Sequence, residues 1–94
     1  METYMLKKQF VVYGIVQGVG FRYFTWKKAT EIGLNGIVKN QRDGSVYILA
    51  EGSASQIDSF RDWLSHGPPS ARVDRVEEND YSGTHSFGLF SVEH

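Results

Sequence analysis

Apolar residues recur along this chain at two periods, and the changes of period mark out its elements. Lys7 to Tyr13 carries the run Phe10, Val11, Val12 and Tyr13, β-branched and aromatic, closed by Gly14. Gly14 to Gly20 holds three glycines and reads as a loop. From Phe21 to Ile32 the spacing turns helical, with Phe21, Phe24, Thr25, Ala29 and Ile32 as the inward set and Gly33 as the stop. Gly36 to Gln41 and Ser45 to Glu51 then flank Asp43-Gly44, a hairpin signal. In the second of these strands Val46, Ile48 and Ala50 share one face, and Tyr47 and Leu49 the other.

Ser53 followed by Gln56 makes a capping box. Ile57, Phe60 and Leu64 follow it on one helical face, and Gly67-Pro68-Pro69 ends the helix. Ala71 to Tyr81 reads as another strand through Val73 and Val76, and Ser86 to Val92 as the last. The order β-α-β-β-α-β, with room for a short extra strand at the end, does not suit a doubly wound sheet, because its middle hairpin is antiparallel. It suits an α+β, ferredoxin-like sandwich, an antiparallel sheet with two helices packed on one face. With 94 residues, the expectation is a single domain over 1–94. Trp26 and Trp63 fall on the helices and are each expected to bury at least one face.

Composition narrows the function. Apolar residues make up 40% of the chain and charged ones 22%, the balance of a soluble domain with a small core. Net charge is −1, and no basic block exceeds Lys7-Lys8 or Lys27-Lys28, so neither nucleic acid nor a membrane surface is expected as a partner. The absence of cysteine removes disulfides, thiolate nucleophiles and sulfur-ligated metals. Met1 to Lys8 is short and polar, unlike a signal peptide, and no stretch approaches the length of a membrane span, so a cytoplasmic location is expected. Val92-Glu93-His94 could contain the remnant of an expression tag, and no weight falls on His94.

The sequence Gly14-Ile15-Val16-Gln17-Gly18-Val19-Gly20-Phe21-Arg22 carries the chemistry. It leads from a strand into a helix N-terminus, where unsatisfied N–H donors and a partial positive charge suit a phosphate. Glycines let those amides converge. Arg22 adds a planar fork suited to phosphate oxygens, yet it opposes the helix dipole, a conflict that a bound anion would relieve. Taken alone, the turn fits as well a plain strand-to-helix connection with Arg22 solvated. A Walker loop is excluded because Gly-Lys-Ser/Thr is missing, and a dinucleotide fingerprint because Tyr23 stands at its third glycine.

At these residues the chain resembles the acylphosphatases. The signature Val-Gln-Gly-Val-Gly-Phe-Arg stands unbroken at Val16 to Arg22. A second signature follows as Gly36-Ile37-Val38-Lys39-Asn40, Asp43-Gly44 and Val46, with Ala50-Glu51-Gly52 and the capped helix after it. The resemblance implies hydrolysis of acyl phosphates to a carboxylate and inorganic phosphate, with no metal, cofactor or covalent intermediate. By position, the amides of Gln17, Gly18, Val19, Gly20, Phe21 and Arg22, with the Arg22 guanidinium, would hold the phosphoryl group. Asn40 would orient the attacking water, and inorganic phosphate would act as product and inhibitor. Two departures stand out. Gly36-Ile37 replaces a common Gly-Trp, and Phe87 to Val92 lacks the aromatic or basic ending whose terminus helps position the arginine in some members.

Other candidates are weaker. His66, His85 and His94 have no metal-ligand spacing, with His66 reading as a dipole partner at a helix end and His85 as a solvated loop residue. Glu77, Glu78 and Asp80 read as an acidic exposed edge, and no serine sits in a Gly-x-Ser-x-Gly elbow. Phe10, Tyr13 and Tyr47 could imitate an RNA-stacking sheet, but Gly44 to Leu49 lacks the basic and aromatic pattern of such a strand. A domain of a larger carbamoyl-transferring factor is a third reading, against which stands the absence of zinc-binding cysteines.

Overall fold

The computed structural model describes residues 4–84 and 87–94. Its elements are β1 (Leu6–Ile15), α1 (Phe21–Ile32), β2 (Asn35–Asn40), β3 (Val46–Gly52), α2 (Ala54–His66), β4 (Arg72–Asp80) and β5 (Ser91–Glu93). The strands form one sheet in the order β4-β1-β3-β2-β5. Phe10 and Val12 of β1, Val38 of β2, and Val46, Ile48 and Ala50 of β3 share one face of that sheet. Phe21 and Ala29 of α1 and Ile57, Phe60 and Leu64 of α2 cover it, every one of them buried. The Phe10 and Phe60 rings meet edge to face at 5.7 Å across the two layers. Alternation in the strands and the i, i+3, i+7 stripe of α2 therefore meet in one core, and the α+β, ferredoxin-like sandwich stands.

The expectation of an antiparallel sheet needs a correction. The first four strands pair antiparallel, but β5 runs parallel to β2, with Ile37 opposite Ser91, Val38 opposite Val92 and Lys39 opposite Glu93. The last strand is also shorter than Ser86 to Val92. Ser86 lies outside the described residues, and among the described residues before Ser91 an isolated bridge joins Leu89 to Asn35, beside a bond from the Gly36 N–H to the Gly88 carbonyl. β1 in turn runs past Gly14, which is part of the strand and not the start of the loop. The register shifts between Tyr13 and Gly14, and a Cβ at Gly14 would lie 2.1 Å from the Arg72 carbonyl oxygen, so only glycine fits this bulge.

α2 follows its reading closely. Ser53 Oγ accepts from the Gln56 N–H, the Gln56 side chain accepts from the Ser53 N–H at 2.8 Å, and the helix ends at His66 before Gly67. α1 departs from it. Phe21, Thr25 and Ala29 face the core, whereas Phe24 is 37% exposed and Trp26 36% exposed. At about 100° per residue, Phe24 sits roughly 60° to one side of the line through Phe21 and Ile32, and Trp26 lies well outside it. Trp63 does bury against the core, tilted on Phe21 at 6.0 Å.

The acidic strand β4 is an edge, as read, but its carboxylates are engaged. Glu78 accepts both Nε and Nη2 of Arg61, at 2.6 and 2.8 Å, and that bond, with a second to Asp58, raises the guanidinium above its ordinary range. Asp80 pairs with Lys8, and Glu77 accepts from the Tyr13 hydroxyl. No helix among the described residues is long and apolar enough to cross a membrane.

Candidate active site

Gly18 and Gly20 carry φ of +76° and +78°, a left-handed backbone that glycine adopts at little cost. They turn the chain from β1 into α1. Gly20 is the N-cap of α1, and no side chain caps the helix. The Phe24 N–H makes the first helical bond, to the Gly20 carbonyl at 3.1 Å, so the amides of Phe21, Arg22 and Tyr23 precede the helical ladder. No acidic residue stands in that first turn. Two anchors hold the turn from below: Val16 and Phe21, each 1% exposed. Val19 also packs against the core, and its carbonyl accepts from Ser70 Oγ at 2.8 Å.

A brace ties this loop to the β2–β3 hairpin. Gln17 Nε2 donates to the carbonyls of Gln41 at 2.7 Å and Ser45 at 2.9 Å. The Ser45 carbonyl also accepts from the Gln41 N–H at 2.9 Å, and Asp43 Oδ1 accepts from the Ser45 N–H and hydroxyl. Those Ser45 bonds, hydroxyl first, hold the Asp43 carboxyl below its usual range. The hairpin is thus closed from within and gripped from outside, one residue beyond Asn40.

Arg22 is fixed from a third direction. Its Nη1 donates to the Glu93 carbonyl at 2.8 Å. The parallel register explains the meeting: Lys39 pairs with Glu93, so β2 and β5 finish side by side, with Asn40 and His94 next along each strand. Gln17, Gly18, Gly20, Arg22 and Asn40 consequently line one open cleft of about 370 Å³, together with Val16, Tyr23, Val92 and His94. Phe21 reaches it too, whereas the Val19 side chain turns into the core.

The family resemblance left support of Arg22 by the chain terminus open, and here the Glu93 carbonyl accepts from Arg22. Parallel pairing of three residues leaves no periodic trace, so nothing local could have announced it. The side-chain role of Gln17 was equally hidden, since its acceptors are main-chain carbonyls more than twenty positions away. His66 Nδ1 lies 3.1 Å from the Asp62 carbonyl at the exposed end of α2, and His85 falls outside the described residues. Among the described residues no group of three or more His, Cys, Asp or Glu is placed to hold a metal ion. Nor do the strand aromatics make one platform: Phe10 is buried beneath the helices, and Tyr13 lies under the Arg75 guanidinium at 4.2 Å.

Known proteins share this sequence and fold. A sequence model of the family described as Acylphosphatase matches residues 8–92. An acylphosphatase of Pasteurella multocida is 53% identical over 90 residues, covering 96% of this chain and 100% of the relative. The crystal structure of acylphosphatase from Bacillus subtilis superimposes with a TM-score of 0.88 at 37% identity, over 95% of this chain and 99% of that one. T. kodakarensis HypF matches with a TM-score of 0.81 at 36% identity, over 93% of this chain but 12% of that one. With the family model matched over residues 8–92 and a relative 53% identical along its whole length, the chain belongs to the acylphosphatase family.

Proposed function

We propose that this chain hydrolyses acyl phosphates to a carboxylate and inorganic phosphate by direct attack of water on phosphorus, without a metal. One observation carries the reading: the residues of the uncapped start of α1, Arg22 among them, line a single cleft with Asn40. The Gln17 to Arg22 amides and Arg22 hold the phosphoryl oxygens, whose charge offsets the unfavourable placement of a cation at a helix N-terminus. The Asn40 carboxamide, neutral at every working pH, accepts from the attacking water without repelling the phosphate.

The water oxygen bonds to phosphorus as the bond from phosphorus to the acyl oxygen breaks. That electron pair leaves with the carboxylate, and the water protons remain on the phosphate or pass to solvent. A carboxylate is a weak base, so its departure needs no general acid. Positioning and charge stabilisation then supply most of the acceleration. Inorganic phosphate, which presents the same oxygens to the same seat, inhibits competitively.

Benzoyl phosphate hydrolysis in oxygen-18 water, with EDTA present, tests the proposal. The expected result is full turnover in EDTA, competitive inhibition by inorganic phosphate, and label in the phosphate. Label in the benzoate would place the attack on carbonyl carbon, and absence of turnover would remove the reading altogether.

A further inference from the structure

Tyr23 and Trp26 are large rings that the core leaves exposed, by 55% and 36%. They are not scattered. At positions i and i+3 of α1 their rings lie 6.0 Å apart and tilted by 36°, and Phe24 meets Tyr23 edge-on at 5.3 Å. Tyr23 follows Arg22 directly and lines the cleft. A contiguous aromatic patch at the rim of a cleft is the kind of exposed apolar surface that marks a ligand groove.

The cleft is larger than a phosphoryl group requires. Once the loop residues, Arg22 and Asn40 are assigned, Val16, Tyr23, Val92 and His94 remain in its lining. In-line displacement sends the acyl group away from the attacking water. Asn40 belongs to β2 and Tyr23 to α1, so the cleft takes its carboxamide from the sheet and its aromatic ring from the helix. We infer that Tyr23, backed by Trp26, forms an acyl-side subsite selecting acyl phosphates with a bulky, aromatic acyl group over short aliphatic ones, an inference that rests on the hydrolysis proposed above.

Such a wall touches the acyl group equally before and during reaction, so its effect belongs in KM and not in kcat. The test compares kcat/KM for benzoyl phosphate and acetyl phosphate in the wild-type chain, Tyr23→Ala, Tyr23→Phe and Trp26→Ala. Expected is a wild type favouring benzoyl phosphate, with a benzoyl-to-acetyl ratio that falls about tenfold in Tyr23→Ala, chiefly through the KM for benzoyl phosphate. Tyr23→Phe, which keeps the ring, holds the ratio within about twofold, and Trp26→Ala lowers it by roughly two- to threefold through lost backing. A ratio unmoved in both alanine variants, with the wild type active on both substrates, overturns the subsite alone. A wild type inert toward both overturns it together with the hydrolysis reading.

Discussion

The Arg22 guanidinium is held by the main chain of Glu93, its Nη1 donating to that carbonyl at 2.8 Å across 71 positions of sequence. This bond joins the first turn of α1 to the edge strand β5. It fixes one arm of the fork of a residue that lines the cleft. Deleting residues 91–94 removes the acceptor. Because a hydrogen bond to a charged group is worth about 1.5–3 kcal/mol, a loss of at least tenfold in kcat/KM for benzoyl phosphate is expected, with far-UV circular dichroism retained. Unchanged kcat/KM in the folded truncation would show that the guanidinium needs no such tether.

Gln17 should behave as a brace. Replacing it with alanine strips a donor from two carbonyls, Gln41 and Ser45, and is expected to cost about 1–3 kcal/mol in urea unfolding. Gln17→Glu should be worse than Gln17→Ala, because a carboxylate can only accept and would face two acceptors while repelling the substrate anion. Equal stability of the three chains would mean the side chain does not grip the hairpin.

Acid should loosen the hairpin through Asp43. Its folded-state pKa lies below the unfolded value because Ser45 donates twice to the ionised carboxylate. That contribution is therefore present above the unfolded pKa of about 3.9 and disappears as pH falls through the folded value. Asp43→Asn keeps an acceptor oxygen but no charge. Its melting temperature should fall below the wild type's at pH 7, and the gap should close as pH falls through the folded-state value. A gap that persists in acid would assign the effect to shape and not to ionisation.

Inside the core, Thr25 Oγ1 is buried without a hydrogen-bond partner among the described residues. Thr25 itself is 0% exposed. Thr25→Val replaces the hydroxyl by a methyl of similar size and should stabilise the fold by about 1 kcal/mol, read from the urea midpoint. A destabilised variant would mean that the hydroxyl finds a partner after all, such as a buried water.

What the sequence discloses here depends on how local the cause is. The Ser53–Gln56 box, the Asp43-Gly44 turn and the positive-φ glycines at 18 and 20 act within a few residues, and each stands where it was expected. The period-2 and period-3.6 stripes likewise located the core, save where Phe24 and Trp26 stray from the inward face of α1. The loop residues and Asn40 were legible because one signature spans the loop and another includes Asn40, whereas Tyr23, Val92 and His94 of the cleft were not. Nor were the forces that bring them together. The parallel β2–β5 register, the grip of Gln17 on the hairpin and the Glu93 tether join residues that are remote in sequence. Such contacts depend on which surfaces the packed sheet leaves side by side, and no window of sequence encodes that.

Separate effects on binding and on turnover test the shared cleft most directly. The measurement is kcat for benzoyl phosphate beside the inhibition constant of inorganic phosphate in Arg22→Ala and Asn40→Ala, both checked for folding. Arg22→Ala should weaken phosphate inhibition and lower turnover on the order of a hundredfold, because the anion seat itself is damaged. Asn40→Ala should lower kcat by about a hundredfold while phosphate still binds within about threefold of wild type, because only the water loses its guide. Near wild-type turnover in either folded variant would contradict the assignment of that residue to the reaction.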